Sequence, residues 1–135
     1  MTPIKSRATL VLLLLLLTGG QGRGQEGDRF VWGQVKYAGA WDPYPGAHGE
    51  LMKYVTQVTS ILVAPQRRAI GLKDPQLFSS PFLFISGRQA PPSLDDEEIR
   101  KLRDYLTAGG FLWIDDASGQ RSSAFDKWTR QTLKF

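Results

Sequence analysis

Short apolar runs alternate along the chain with segments of helical spacing. Phe30–Tyr37 is rich in β-branched and aromatic residues, and Pro81–Ser86 and Phe111–Ile114 are continuous apolar runs. All three predict strands, and the last two are typical of strands buried on both faces. Ile61–Ala64, which a proline follows, predicts a further short strand.

Three other segments place apolar residues at intervals of three and four, which predicts helices. They are Glu50–Ser60, Ser93–Ala108 and Ala124–Leu133. In the first, the predicted buried face comprises Leu51, Tyr54, Val55 and Val58. The second begins with Ser93 and Asp96 in the spacing of a helix cap, and it ends at two glycines.

Strands that alternate with helices predict an α/β fold with a parallel sheet. We expect the strand order 2-1-3-4 of flavodoxin-like sheets. Arg68–Leu72 is a further extended piece and Asp74–Phe78 a short helical turn. The chain stops at Phe135 inside a helix after four strands, which suggests a truncated domain; a complete small domain with a tail helix is the alternative.

The N-terminal segment has the composition of a secretory signal. Met1–Arg7 is basic, Ala8–Leu17 is apolar, and small and polar residues follow. The apolar core is about half the ~20 residues of a membrane span. Cleavage is expected after Gly22 or Gly24, and an uncleaved N-terminal anchor is the alternative. The predicted organisation is a signal peptide over residues 1–24, a polar leader over 25–29 and an α/β domain over 30–135, in a secreted or periplasmic protein.

Charge and composition exclude several classes of protein. The chain has 17 basic and 13 acidic residues, but three of the basic residues lie in the signal, which leaves 14 − 13 = +1 for the body. No basic stripe indicates a nucleic-acid partner. The absence of cysteine excludes disulfides and thiolate chemistry, and one histidine excludes a histidine-rich metal site. The local basic cluster, predicted to be a solvated loop, comprises Arg67, Arg68 and Lys73.

Three stretches together resemble a known family. They read VKYAGAWDPYPGAHGELMKYV, DPQLFSSPFLFISG and SLDDEEIRKLRDYLTAGGFLWIDDASG. They resemble the bacterial domain-of-unknown-function 4159 family over Phe30–Phe135. The resemblance implies a fold similar to class I glutamine amidotransferases and ThuA-like proteins, which share the helix-into-strand element seen here at Leu102–Leu112. The amidotransferase nucleophile is a cysteine just after the strand equivalent to Phe111–Ile114, where this chain has Asp115-Asp116. A carboxylate cannot replace the thiolate, so glutamine hydrolysis through a thioester is excluded.

Ligands of open α/β sheets bind beyond the carboxyl ends of the strands, where the strand order reverses. Here that crevice lies between the first and third strands, and three loops reach it: Tyr37–His48, Ser86–Gln89 and Asp115–Gly119. Asp115 or Asp116 could act as a general base or hard-cation ligand. Alternatively, Asp116 caps the turn or the next helix, and Asp115 binds loop amides.

Aromatic residues beside a carboxylate in the first loop suit stacking on a sugar or planar ligand, although simple loop packing is the alternative. His48 opens a helix, where a cap or surface role is the ordinary one. The predicted catalytic residues are Asp116 and Asp115, and the predicted ligand-binding residues are Tyr37, Trp41, Asp42, Tyr44, Gly87, Arg88 and Ser118. The strand residues predicted to be core are Trp32, Phe82, Phe84 and Trp113.

These observations favour an exported, non-catalytic binding or interaction module with an amidotransferase-like fold. Its ligand would be small and polar, for example a carbohydrate; no cofactor or metal is predicted. One alternative is a hydrolase that depends on an aspartate, with or without a divalent cation. The other is a subunit of a cell-envelope assembly with protein partners. Membrane contact is expected only through an uncleaved signal.

Overall fold

The computed structural model describes residues 28–134, so the predicted signal peptide lies outside the described residues. A four-stranded parallel sheet has the order β2-β1-β3-β4. The strands are β1 (Gly33–Val35), β2 (Arg68–Ile70), β3 (Phe82–Gly87) and β4 (Phe111–Asp116). The α/β class and the predicted strand order are therefore confirmed, and the architecture is consistent with a flavodoxin-like fold.

Three α-helices and a 3₁₀ turn connect and follow the strands: α1 (Ala47–Val58), the turn Pro75–Ser79, α2 (Asp96–Thr107) and α3 (Ala124–Thr132). The predicted cap of α2 at Ser93 is wrong. Asp95 accepts hydrogen bonds from the backbone N–H groups of Glu97 and Glu98, and the Glu98 carboxylate accepts the N–H of Asp95. This reciprocal capping box satisfies helix N–H groups that would otherwise have no partner. Within residues 28–134, none of the helices has the length and apolar character of a membrane span.

One face of the sheet carries the main hydrophobic core. Side chains two residues apart on a strand share a face, so Leu83 and Ile85 point to the same side. They pack with apolar residues from the other strands and from α2, α3 and the 3₁₀ turn. The buried cluster comprises Val35, Ile70, Leu72, Leu77, Leu83, Ile85, Leu102, Tyr105 and Phe125.

The second strand differs from its prediction. Ile61–Ala64 makes a single bridge, between Val63 and Phe30, while β2 itself is Arg68–Ile70. Pro65 and three further residues separate the bridge from β2, and Ile61 and Leu62 are about half exposed. The ladder with β1 is interrupted after Ala64, whose N–H donates to the Phe30 carbonyl, and it resumes at Arg68, whose N–H donates to the Trp32 carbonyl.

The opposite face of the sheet is lined by aromatic rings, and we call it the aromatic face. Neighbouring rings approach to centroid distances of 4.9–6.3 Å. Phe111 is 60% exposed and Trp113 is 46% exposed, so the predictions that β4 is buried on both faces and that Trp113 is a core residue are wrong. The aromatic face comprises Phe30, Trp32, Phe82, Phe84, Phe111 and Trp113.

Helix α1 lies on the aromatic face near β1. The His48 ring, in its first turn, is 5.9 Å from Trp32, and Met52 is its buried residue. Tyr54 is 60% exposed and Val58 is 57% exposed, so the prediction that they are buried is wrong, whereas Leu51 and Val55 of the same predicted stripe are partly buried. The helix therefore leaves the β4 side of the aromatic face uncovered among the described residues.

Candidate functional site

A cavity of about 200 Å³ lies on the aromatic face, between the start of α1 and the carboxyl-terminal halves of β3 and β4. It lies at the predicted crevice, where the loop after β1 meets the end of β4. Its lining residues are Trp32, Gln34, Asp42, Pro43, Tyr44, Ala47, His48, Leu51, Arg67, Phe84, Trp113 and Asp115.

One wall of the cavity is an ion pair between Asp42 and Arg67. Both guanidinium Nη atoms of Arg67 donate to the Asp42 carboxylate, and Nη1 also donates to Gln34 Oε1 at 2.6 Å. The guanidinium lies 5.4 Å from the centroid of the Trp41 ring. The hydrogen bond from Arg67 holds the pKa of Asp42 below its ordinary value. Arg67 is therefore a half-buried partner of Asp42, and its prediction as part of a solvated loop is wrong.

Asp115 lines the cavity at the end of β4. Its Oδ2 atom accepts a hydrogen bond of 3.1 Å from the hydroxyl of Ser86, the fully buried residue beside it on β3. This contact uses one of the two carboxylate oxygens, which can each accept more than one bond. Asp115 is thus placed to accept a hydrogen bond from a molecule in the cavity, or to pair with a positively charged group of that molecule.

Asp116 is not among the cavity-lining residues. Its carboxylate accepts the backbone N–H of Ser118 at 2.9 Å and the hydroxyl of Ser123 at 2.5 Å. Hydrogen bonds from Ser118 and Ser123 lower the pKa of Asp116. Ser123 is the N-cap of α3, because its hydroxyl accepts the N–H of Asp126. Asp116 therefore joins the end of β4 to the start of α3, as the capping interpretation describes.

Two buried nitrogen atoms belonging to the cavity walls have no hydrogen-bond partner among the described residues. They are Nε1 of Trp32, whose side chain is 5% exposed, and Nε2 of His48. Burial, and then the positive charge of Arg67, lower the pKa of His48, so its ring is neutral at pH 7. Buried polar groups are nearly always paired, so two unpartnered nitrogen atoms in the walls of one cavity are unusual.

Tyr44 lies at the rim of the cavity, with its ring between two neighbouring loops. Its hydroxyl donates to the Ala117 carbonyl at 3.4 Å, and the Arg88 guanidinium lies 5.4 Å from the ring centroid. Arg88 is exposed and does not line the cavity. Tyr44 thereby links the loop after β1 to the loops after β3 and β4.

Tyr37 and Gly87 lie away from the cavity. The Tyr37 hydroxyl donates to the Ser86 carbonyl at 2.8 Å, and burial raises the pKa of this phenol. A Cβ atom at Gly87 would lie 2.4 Å from Tyr37 Oη and 2.9 Å from the Phe125 ring. The absence of a side chain at position 87 thus makes room for Tyr37 and Phe125.

The structure brings four residues singled out from the sequence together at one cavity: Asp42, Tyr44, His48 and Asp115. It places Tyr37, Trp41, Gly87, Arg88, Asp116 and Ser118 elsewhere. The lining residues that the sequence reasoning did not assign to the site include Trp32, Gln34, Arg67, Phe84 and Trp113. Strand alternation was the available signal, because Trp113 is two residues from Asp115 and must share its face.

The cavity combines apolar and polar groups in its walls. Aromatic rings offer flat surfaces, and Asp115, Trp32 Nε1 and His48 Nε2 offer hydrogen-bonding atoms. Over the part of the chain that the structure describes, no group of three or more histidines or carboxylates is arranged to hold a metal ion.

No curated protein matches this chain. The sequence model of a domain of unknown function, DUF4159, matches residues 31–134. That range contains all four strands, all three helices and every residue of the cavity. The chain therefore belongs to the DUF4159 family.

Proposed function

We propose that the protein is an exported binding module that takes a small polar ligand, with carbohydrate as the favoured class. One observation carries this proposal. A half-exposed tryptophan, Trp113, lies beside the Asp115 carboxylate at a cavity whose walls hold two buried, unpartnered nitrogen atoms.

This combination matches what a sugar ring presents. The C–H groups on one face of a sugar pack against an aromatic ring, while its hydroxyl groups both donate and accept hydrogen bonds. Trp113 offers the ring, Asp115 accepts hydroxyl protons, and Trp32 Nε1 donates to a hydroxyl oxygen. The neutral His48 ring can pair through Nε2.

The same geometry supports binding over hydrolysis. A hydrolase that uses paired carboxylates needs one as acid and one as base or nucleophile. Asp42 is held by Arg67, and Asp116 is held by Ser118 and Ser123 away from the cavity. Asp115 is left as the one carboxylate in the cavity lining that is not held in an ion pair.

The N-terminal sequence supports export to the periplasm or the outside of the cell. The resemblance of Leu102–Leu112 to amidotransferases and ThuA-like proteins supports placing the domain among these folds. The Asp115-Asp116 turn, where amidotransferases have their cysteine, supports a role without glutamine hydrolysis. Protein partners in the cell envelope are part of this proposal.

Isothermal titration calorimetry with a panel of monosaccharides and disaccharides tests the proposal on the purified protein. We expect measurable binding of at least one sugar, and a thermal shift with the same sugar. Trp113→Ala should weaken that binding at least tenfold, because the stacking surface is removed.

Phe111→Ala is the matched control, because Phe111 is exposed on the same strand and face but does not line the cavity. This variant should bind the sugar as the unaltered protein does. The proposal fails if no sugar in the panel binds, or if Trp113→Ala and Phe111→Ala have equal effects.

A further inference from the structure

The charged groups of the cavity leave one negative charge without compensation. Arg67 and Asp42 neutralise each other through a two-pronged ion pair, and the remaining contact of Arg67 is with Gln34. His48 is neutral at pH 7, for the reasons given above. Asp115 accepts a hydrogen bond from the Ser86 hydroxyl, which is an uncharged donor. The lining of the cavity therefore has a net charge of −1 at neutral pH.

Arg88 is an exposed cation that contacts the ring of Tyr44, a residue of the cavity lining. Its guanidinium is 5.4 Å from the Tyr44 ring, and it does not line the cavity. Solvent screens an exposed charge, so Arg88 offsets the Asp115 charge only weakly. A positively charged ligand group would thus meet Asp115 as its partner.

Aromatic rings line the same cavity as this carboxylate. Trp32, Phe84 and Trp113 form a connected group with centroid distances of 4.9, 5.8 and 6.1 Å, and Tyr44 lines the rim. The face of an aromatic ring attracts cations, and the attraction increases where water is excluded. Rings and carboxylate therefore both favour an ammonium group over a neutral one.

A ligand that satisfies the polar atoms of the cavity walls must also supply hydrogen-bond acceptors. The Trp32 indole N–H is a donor only, and an ammonium group cannot accept its hydrogen bond. A hydroxyl oxygen can, and a hydroxyl can also pair with His48 Nε2. A simple alkylammonium ion would leave the Trp32 indole N–H buried without a partner.

Resting on the proposed function, we infer that the preferred ligand is a sugar that bears a free, protonated amine. Its ammonium group binds Asp115 among the rings, and its hydroxyl groups bind Trp32 Nε1 and His48 Nε2. The cavity, at about 200 Å³, is of a size for one sugar ring.

Calorimetry with glucosamine, glucose and N-acetylglucosamine tests the inference, because these probes share the ring and differ in the charge at one position. At pH 7 and low salt, glucosamine should bind at least tenfold more tightly than the other two. Added salt should reduce this preference, because it screens the attraction between charges.

Asp115→Asn should abolish the preference for glucosamine while glucose still binds. Asp104→Asn, which removes the same charge from the exposed side of α2, should retain the preference. Circular dichroism checks that each variant is folded, and Asp115→Ser replaces Asp115→Asn if the latter does not fold.

The outcomes separate the two proposals. Equal binding of glucosamine and glucose overturns the inference and leaves the proposed function standing. Binding of tetramethylammonium as tight as that of glucosamine overturns the inference, because the hydroxyl groups would then contribute nothing. If none of these sugars and no other sugar in the panel binds, the proposed function fails as well.

Discussion

The Asp42–Arg67 ion pair allows a quantitative prediction for Asp42→Asn. Both side chains are largely buried, with 17% and 22% of their surfaces exposed. Asparagine has a similar shape but offers one acceptor oxygen, so one of the two hydrogen bonds from Arg67 is lost. Arg67 then keeps its charge in a half-buried position without a counter-charge.

A hydrogen bond to a charged group contributes about 1.5–3 kcal/mol, and breaking a fully buried pair costs about 3–5 kcal/mol. Because this pair is partly solvated, we expect Asp42→Asn to lower the free energy of unfolding by about 2 kcal/mol. For a domain of this size, that corresponds to a fall in Tm of roughly 10 °C. Urea unfolding followed by circular dichroism at pH 7 measures the difference.

The effect must also depend on pH. The pKa of Asp42 is lowered in the folded protein, so the folded state binds fewer protons than the unfolded state. The stabilisation is fully present above the unfolded pKa of about 3.9 and is lost as the pH falls through the folded pKa. The difference between the unaltered protein and Asp42→Asn should shrink accordingly in acid.

The exposed pair Glu50–Lys53 supplies the control. Its side chains are 76% and 68% exposed, so Glu50→Gln should change stability by less than about 0.5 kcal/mol. The reasoning is refuted if Asp42→Asn costs no more than Glu50→Gln, or if its cost is the same at pH 2 and pH 7.

Two further substitutions test the contacts around β3 and β4. Gly87→Ala should lower the free energy of unfolding in urea by about 1–3 kcal/mol, because the new methyl group overlaps Tyr37 and Phe125. Gly49→Ala, in open space within α1, should instead be neutral or stabilising. A greater loss of stability in Gly49→Ala than in Gly87→Ala would contradict the packing described. Asp116→Asn should lower the free energy of unfolding by about 1 kcal/mol, because the Asp116 carboxylate binds the turn and the N-cap residue of α3. It should leave ligand affinity unchanged. A loss of affinity in calorimetry would instead place Asp116 in the binding site.

The sequence predicted the parts of the fold that local patterns determine. The apolar run of β3 and the glycines that end α2 are recognisable from neighbouring residues alone. The alternation of strands and helices predicted the parallel sheet, and the expected order 2-1-3-4 came from flavodoxin-like sheets. The position of β2 was not predicted, because the apolar residues of Ile61–Ala64 favour a strand more strongly than Arg68–Ile70, and the pairing with β1 is a long-range property.

The candidate site was predictable where it depends on the ends of strands. Asp115 and the loop that contains Asp42 follow strands, and strand ends meet at one edge of a parallel sheet. Arg67 was missed because its partner Asp42 is 25 residues away, and nothing local distinguishes it from Arg68. Trp113 was assigned to the core because tryptophan is usually buried, whereas its exposure depends on what covers the sheet.

The strands use neighbouring residues for opposite purposes. On β4, Trp113 and Asp115 meet the cavity, while Ile114 packs against the core and Asp116 fastens α3. Stability and recognition are therefore interleaved along the sequence with a period of two and in opposite phase. Substitutions at the positions that face the cavity can change the ligand preference, while the positions on the other face keep the domain folded. A shift of β4 by a single residue, however, would exchange the two sets and abolish both properties at once.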